Sequence, residues 1–138
     1  MLCVEDALDG LNWADSIGGL KSLIGRSEGN LAELARWVEN TDDVAFLAAV
    51  PETQSCTSVC LVITADWFQA LSDDDQAAAA KRVGAVLDEE GIAYDIDAYR
   101  DAPSGLRIWA GATVETTDLE ALTPWIDWAL AQTAAEYA

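Results

Sequence analysis

Two arginines, Arg100 and Arg107, flank a short turn and are the side chains of this sequence best suited to bind an anion. They are two of only seven basic residues, against 25 acidic ones. Pro103, Ser104 and Gly105 lie between them and are typical of a tight turn, which would allow both guanidinium groups to reach one ligand. Because a guanidinium binds two carboxylate or phosphate oxygens at once, this pair predicts an anion site.

The residues after the turn alternate in polarity, which predicts a half-buried strand. Leu106, Ile108 and Ala110 would face the core, and Arg107 and Trp109 would lie on the other face. An arginine within an apolar strand needs a partner, since an unpaired buried cation is costly, and a ligand carboxylate is one candidate. The alternative is that both arginines neutralise nearby surface carboxylates, in pairs that contribute about 0–1 kcal/mol each.

The composition indicates one folded, acidic domain. The chain has 138 residues, of which 51% are hydrophobic, with six tryptophans and a formal charge of −18. Such a charge excludes nucleic acid and anionic membranes as expected partners. We expect no signal peptide and no membrane-spanning segment, because the sequence shows neither a basic amino-terminal region before an apolar run nor an apolar run of about 20 residues.

The cysteine and histidine content limits the possible chemistry. Three cysteines and no histidine predict reduced thiols and a cytoplasmic protein, and they exclude Ser-His and Cys-His catalysis within this chain. Cys56 and Cys60 have no further ligands to complete a zinc site, and Asp95 and Asp97 have none arranged for calcium, so we expect no metal. Alternation would place both cysteines on the core face of one strand.

The order of predicted elements is α-α-β-β-α-β-β-α. The helices are predicted at residues 1–17, 20–39, 74–90 and 119–137, and the strands at 44–47, 58–64, 92–99 and 106–111. The fold class is therefore α+β: a two-layer sandwich with a small, mainly antiparallel sheet and helices packed on one face, preceded by long N-terminal helices. Two long helices before any strand suggest that the first packs against something absent.

Helix caps and tryptophans give further expectations. Ser72 is the predicted N-cap of the helix at 74–90, which would stop at Gly91. Thr117 and Asp118 are the predicted cap of the last helix. Trp125 and Trp128 are expected to broaden its buried face, Trp67 and Phe68 to cover an edge of the core, and Pro124 to lie near the first turn.

Several segments, in order, resemble the carboxy-terminal part of the phosphoserine aminotransferase family. They are residues 22–26 (SLIGR), 40–41 (NT), 57–61 (TSVCL), 98–103 (AYRDAP), 105–115 (GLRIWAGATVE) and 117–122 (TDLEAL), with Trp125 and Trp128. The resemblance spans essentially the whole chain and is most specific at residues 98–128. It implies the small domain of a fold-type I enzyme that depends on pyridoxal phosphate. Such enzymes exchange an amino group between phosphoserine and glutamate, through 3-phosphohydroxypyruvate and 2-oxoglutarate, in serine biosynthesis.

The resemblance also implies roles for three residues. Arg107 matches the arginine that binds the substrate α-carboxylate. Arg100 matches an arginine that helps to hold the substrate phosphate across a dimer interface. Tyr99 stands where the family often has histidine, and the spacing to Arg107 is one residue longer than in the family. We therefore expect substrate binding by Arg107, Arg100 and Tyr99, a small anionic amino acid as ligand, and a homodimer.

The lysines determine what the chain is expected to do alone. Pyridoxal chemistry needs a lysine for the Schiff base, and neither Lys21 nor Lys81 has the family's local pattern around that residue. We predict a single domain over 1–138, in which 1–40 is a helical segment connecting to a large domain outside this sequence and 41–138 is the α+β small domain. It would contain no catalytic residue, bind no cofactor and catalyse no transamination by itself.

Two other functions remain open from the sequence. The chain could be a non-catalytic module that binds an amino acid through the same arginines. It could instead be a protein-interaction domain, which would associate with itself through exposed apolar surface.

Overall fold

The computed structural model describes residues 2–99 and 102–138, and in this range five α-helices and three strands are arranged in sequence. The helices are α1 (Leu2–Ser16), α2 (Gly19–Val38), α3 (Asp66–Gln69), α4 (Asp73–Glu89) and α5 (Thr116–Glu136). The strands are β1 (Val44–Phe46), β2 (Ser58–Ile63) and β3 (Gly105–Trp109), and a short 3-10 turn lies at Pro51–Thr53.

The sheet is antiparallel with the strand order β1-β2-β3. Val59, Leu61 and Ile63 of β2 are buried, whereas the residues between them are half-buried, because successive side chains of a strand point to opposite faces. Leu106 and Ile108 of β3 join the same core. Helices α2, α4 and α5 cover this face, so the predicted α+β fold with a small antiparallel sheet is confirmed.

The predicted strand at residues 92–99 is wrong. Only an isolated bridge between Asp97 and Leu106 lies there, together with a hydrogen bond from the backbone N–H of Arg107 to the carbonyl of Ile96 (2.8 Å). Asp95 has a φ of 56°, a left-handed conformation that interrupts an extended chain. This segment therefore runs beside β3 as an irregular edge, and the observed order is α-α-β-β-α-α-β-α.

Helix α4 has the predicted caps. The Ser72 hydroxyl accepts a hydrogen bond from the backbone N–H of Asp75, and three aspartates occupy the first turn, where the helix dipole favours anions. At the other end Gly91 has a φ of 68°. Its N–H and that of Ile92 donate to the carbonyls of Asp88 and Leu87, which is a Schellman motif.

Helix α5 begins three residues earlier than predicted. Its N-cap is Glu115, and Thr117 and Asp118 lie in its first turn. Pro124 is consequently inside the helix rather than near its start, so its missing N–H leaves the carbonyl of Glu120 without that backbone donor. The Thr123 hydroxyl donates to this carbonyl at 3.5 Å and partly compensates.

The predicted positions of several side chains need correction. Trp125 and Trp128 are exposed and pack edge to face with each other, with ring centroids 5.4 Å apart. Phe68 is buried with Trp67 against it, as predicted. Cys60 lies on the sheet face away from the core, because its neighbours Val59 and Leu61 point inward.

Helix α1 packs weakly on the rest of the chain. None of its residues is buried, and Leu2, Val4, Leu8 and Leu11 are exposed. It contacts α2, whose first turns also expose Leu20. None of the helices in the described residues is long and apolar enough to cross a membrane.

A hydrogen bond between Trp37 and Asp127 links α2 to α5, and the partial burial of Asp127 makes stability depend on pH. The Trp37 indole N–H donates to Asp127 Oδ1 at 3.0 Å, and burial raises the pKa of Asp127 despite this bond. Because the folded-state pKa exceeds the unfolded one, the native state takes up the proton first as pH falls. Above the folded-state pKa the carboxylate is charged in both states, and the native state carries the full free-energy penalty of its partial burial. Acidification protonates the carboxyl and removes this penalty.

We expect Asp127→Asn to raise the thermal midpoint slightly at neutral pH, since the amide oxygen can still accept the indole hydrogen bond without a partly desolvated charge. The gain over the wild-type chain should shrink as pH falls towards the ordinary pKa of aspartate. Thermal unfolding followed by circular dichroism from pH 7 to pH 4 measures both effects. Asp9→Asn on the exposed helix α1 controls for the reduced net charge, and a gain that widens on acidification would contradict this account.

Candidate anion site

Arg107 lies on β3, on the face of the sheet opposite the helices. Its cross-strand neighbour is Cys60 of β2. The Arg107 side chain is 17% exposed, and its Nη2 contacts Asp95 Oδ2 at 2.6 Å. Nε and Nη2 also donate to the backbone carbonyls of Asp97 and Asp95, each at 3.4 Å. The irregular edge before β3 therefore supplies the oxygens that surround this guanidinium.

Tyr99 completes the surroundings of Arg107. The Arg107 Cζ lies 4.6 Å from the centroid of the Tyr99 ring, within the range of a cation–π contact. The structure thus brings together Tyr99 and Arg107, two of the three residues predicted to bind substrate. The third, Arg100, lies outside the described residues, so its predicted role is not addressed by the geometry.

The charge state of Arg107 follows from these contacts. The hydrogen bond that Arg107 donates to Asp95 raises the pKa of Arg107 most, burial lowers it, and the charge of Asp95 raises it further. The guanidinium is therefore a permanent cation. Its partner is solvated, because the Asp95 side chain is 82% exposed. Because this carboxylate is already in water, Asp95 can leave the guanidinium without being desolvated, and the pair can exchange for a ligand anion.

Asp95 is the ion-pair partner of Arg107 that the sequence interpretation missed. By sequence, Asp95 stands out only as half of an Asp-x-Asp pair that has no further ligands arranged for calcium. The signal was present nonetheless: Asp95 and Arg107 stand on the two arms of one predicted turn, and an arginine on a half-buried strand needs a partner. Among the described residues no group of three or more potential metal ligands is found.

A polar network holds the end of β3 in place. Asn30 of α2 is fully buried, and its Nδ2 donates to the carbonyls of Ala110 (3.1 Å), Gly111 (3.2 Å) and Val114 (3.0 Å). Its Oδ1 accepts from the Thr116 hydroxyl at 2.8 Å. The two N–H groups of one amide are thus shared among three carbonyls of the connection between β3 and α5, which fixes where β3 ends.

Arg26 reinforces the same connection from the next turn of α2. Its Nε donates to the carbonyl of Ala112 at 2.6 Å, and its Nη2 pairs with Glu115 at 2.5 Å. The hydrogen bond from Arg26 lowers the pKa of Glu115. The Trp109 ring packs over Gly111, where a Cβ would lie 2.5 Å from the ring and would displace it. Arg107 is thus carried by a strand whose carboxyl end is anchored to α2.

A cavity of about 480 Å³ lies beside the site. Asp95 and Tyr99, which contact Arg107, line it together with Lys81 of α4, Ser104 and Gly105, whereas Arg107 itself does not. Both lysines of the chain, Lys21 and Lys81, are exposed on helices. Neither stands in a desolvated pocket of the kind that makes a lysine amine nucleophilic.

Comparison with known proteins gives consistent matches. No family model matches the chain. Curated phosphoserine aminotransferases from Methanosarcina barkeri and Methanosarcina mazei are 48% and 47% identical to it over 129 residues, which is 94% of this chain and 32% of each relative. The chain therefore spans about a third of the length of the curated relatives it matches, and the resemblance found in the sequence is confirmed.

A structural match falls on the same class of enzyme. A solved phosphoserine aminotransferase, from work on radiation damage of its Schiff base, superposes with a TM-score of 0.66 at 13% identity. The match covers 88% of this chain and 30% of that one. At this low identity the match shows a similar fold only. The share of the solved enzyme that it covers, 30%, is close to the 32% of the curated relatives that the sequence match covers.

Proposed function

We propose that this chain, a relative of about a third of phosphoserine aminotransferase, is the substrate-binding part of such an enzyme and corresponds to its carboxy-terminal small domain. The parent would exchange phosphoserine and 2-oxoglutarate for 3-phosphohydroxypyruvate and glutamate, in serine biosynthesis. The observation that carries this proposal is the 48% identity over 94% of the chain. The chain's contribution would be to bind and orient the amino acid.

Arg107 would bind the α-carboxylate of the substrate. Three features support this role: the guanidinium is permanently charged, its partner Asp95 is solvated and replaceable, and the Tyr99 ring lies against it. A planar guanidinium can form two parallel hydrogen bonds to a carboxylate, which fix orientation as well as position. Binding the substrate in this way fixes the orientation of its reacting bond, and correct positioning of reacting groups supplies much of an enzyme's rate enhancement.

Arg100 and Tyr99 would complete the substrate site, with Arg100 near the substrate phosphate across a homodimer interface. The exposed ring of Tyr99 lines the cavity beside Arg107, in agreement with a place next to the ligand.

The three free cysteines support a cytoplasmic location.

The cofactor would be bound by protein outside this chain. Lys21 and Lys81 do not fit the Schiff base, as described above, so we propose that this chain alone holds no pyridoxal phosphate and contains no catalytic residue. Residues 1–40 would connect to the remaining enzyme, which would cover the apolar side chains of α1, and 41–138 would form the small domain. The exposed Leu2, Val4, Leu8 and Leu11 support such a contact.

A chimeric enzyme tests the proposed function. The 129 aligned residues of the Methanosarcina barkeri enzyme would be replaced by those of this chain, and turnover of phosphoserine with 2-oxoglutarate would be measured with added pyridoxal phosphate. We expect turnover within about tenfold of the parent relative, because volume-conserving exchanges are tolerated at such identity. A folded chimera that binds the cofactor but has no turnover would contradict the proposal.

The isolated chain provides the complementary test. We expect it to show no turnover with the same substrates and cofactor, since it offers no suitable lysine. The Lys21→Met and Lys81→Met variants, assayed under the same conditions, are the matched controls. Turnover that disappears in one of these variants would show that the chain carries its own Schiff-base lysine, and it would overturn this part of the proposal.

A second candidate is a protein-interaction module, and the observation in its favour is the exposed apolar surface of α1. This function predicts that the isolated chain associates with itself or with another protein through α1. Sedimentation velocity of the chain and of a Leu8→Glu, Leu11→Glu variant separates the alternatives. An active chimera together with a monomeric isolated chain would favour the aminotransferase function.

A further inference from the structure

Asp95 occupies the place at Arg107 that a ligand carboxylate would take. Its Oδ2 lies 2.6 Å from Arg107 Nη2. Among the described residues, Arg107 Nη2–Asp95 Oδ2 is the side-chain ion pair of this guanidinium, whereas Nε turns to the backbone carbonyl of Asp97 at 3.4 Å. The guanidinium thus holds a carboxylate by one oxygen, although its geometry suits two.

The two partners differ in their access to water. The Arg107 side chain is 17% exposed, and the Asp95 side chain is 82% exposed. Asp95 can therefore leave without a cost of desolvation, since its carboxylate is already in water. Arg107 cannot follow it into solvent, because β3 and the Tyr99 ring hold the guanidinium in place. Of the two, Asp95 is the partner that would move.

The backbone at Asp95 favours this movement. Asp95 has a φ of 56°, which aspartate and asparagine tolerate better than most residues. It lies outside regular structure, two residues before the isolated bridge that fixes Asp97 against Leu106. The chain is therefore anchored at Asp97, and a rotation before the bridge can carry the carboxylate away.

We propose that Asp95 is an internal competitor for Arg107, which occupies the carboxylate position in the free protein and is displaced when a ligand carboxylate binds. This inference rests on the proposed carboxylate role of Arg107. The competition selects for ligands that engage both guanidinium nitrogens, because only these gain more than the single contact they replace. Anions that offer one contact, such as chloride, would not displace a carboxylate tethered at high effective concentration.

The size of the effect follows from the fraction of time that Asp95 spends on Arg107. If the pair is formed about four-fifths of the time, the apparent affinity for an external carboxylate falls about fivefold. Asp95→Asn removes the competing charge and keeps a residue that tolerates the same φ. Asp97→Asn is the matched control, since it removes the same charge two residues away, where the side chain faces Gly84 of α4 instead.

The test is a titration of this chain with glutamate and, separately, phosphoserine, followed by the Arg107 side-chain N–H signals in nitrogen-15 NMR spectra. We expect Asp95→Asn to bind each ligand about fivefold more tightly than the wild-type chain, and Asp97→Asn to bind like the wild type. Equal affinities in Asp95→Asn and the wild type would overturn the inference alone and leave the role of Arg107 intact. Absence of binding in both would contradict the inference and the proposed role of Arg107 together.

Discussion

Replacing Arg107 by alanine in the chimeric enzyme should lower kcat/KM for phosphoserine about 10- to 100-fold. A charge-assisted hydrogen bond contributes about 1.5–3 kcal/mol, and each 1.4 kcal/mol is a factor of ten. The loss should affect phosphoserine and glutamate alike, because both substrates carry an α-carboxylate. Steady-state kinetics with each substrate measures it.

Arg107→Lys separates charge from geometry in the same enzyme. Lysine keeps the positive charge and loses the planar fork, so it should recover only part of the activity. Arg82→Ala is the matched control: this arginine pairs with Glu89 and Glu136, on the helices and away from β3. A comparable loss in Arg82→Ala would show that the effect of Arg107→Ala is not specific to substrate binding.

Replacing Asn30 by alanine should destabilise the fold by about 2–3 kcal/mol. The change removes the donor to the buried carbonyl of Ala110 and the acceptor of the Thr116 hydroxyl. The carbonyls of Gly111 and Val114 keep a second donor, the N–H of Val114 and the Arg26 guanidinium respectively. An unsatisfied buried polar group costs about 1–3 kcal/mol, and the loss of a buried network is one of the few routes to a large destabilisation. Urea unfolding of the isolated chain measures the change.

Asn40→Ala is the control for this substitution. Asn40 follows the same helix, and its Nδ2 also donates to a backbone carbonyl, that of Arg36, but the group is exposed. Water can replace this bond, so the expected change is below about 0.5 kcal/mol. Similar unfolding midpoints for Asn30→Ala and Asn40→Ala would contradict the anchoring role given to Asn30.

The strands could be predicted where one local rule was sufficient. The β-branched run of β2 and the alternation from Leu106 to Ala110 each fixed a buried face, and both faces are observed. The segment 92–99 alternates just as well, but one left-handed residue, Asp95, interrupts the strand. Alternation reports which side chains favour burial and contains no information on a single φ angle.

The tryptophans of α5 show the limit of hydrophobicity as a guide. The buried line of this helix passes through Leu119, Thr123, Ile126 and Leu130, at steps of three and four residues. Trp125 lies one position before Ile126 and therefore points away from that line. Its size made it an attractive core residue, but helical position decides burial, and here it favours a threonine over a tryptophan.

The candidate site was predicted in part, because its central residue has a local signature and its support does not. Arg107 and Tyr99 belong to one continuous segment around a turn. Asn30, which anchors the strand that carries Arg107, is 80 to 86 residues away from its partners, so no local pattern could reveal it. Asp95 is an intermediate case. It lies 12 residues before Arg107, so its role as ion-pair partner could be predicted only by pairing the two segments that flank the turn.

The most direct test of the carboxylate role compares two ligands that differ only in that group. Phosphoserine and phosphoethanolamine, which lacks the carboxylate, would be compared as a substrate and a competitive inhibitor of the chimeric enzyme, with and without Arg107→Ala. The account predicts that the chimera with Arg107 binds phosphoserine about 10- to 100-fold more tightly than phosphoethanolamine. In the Arg107→Ala chimera the two ligands should bind about equally well. A preference that survives the substitution unchanged would show that Arg107 does not bind the substrate carboxylate.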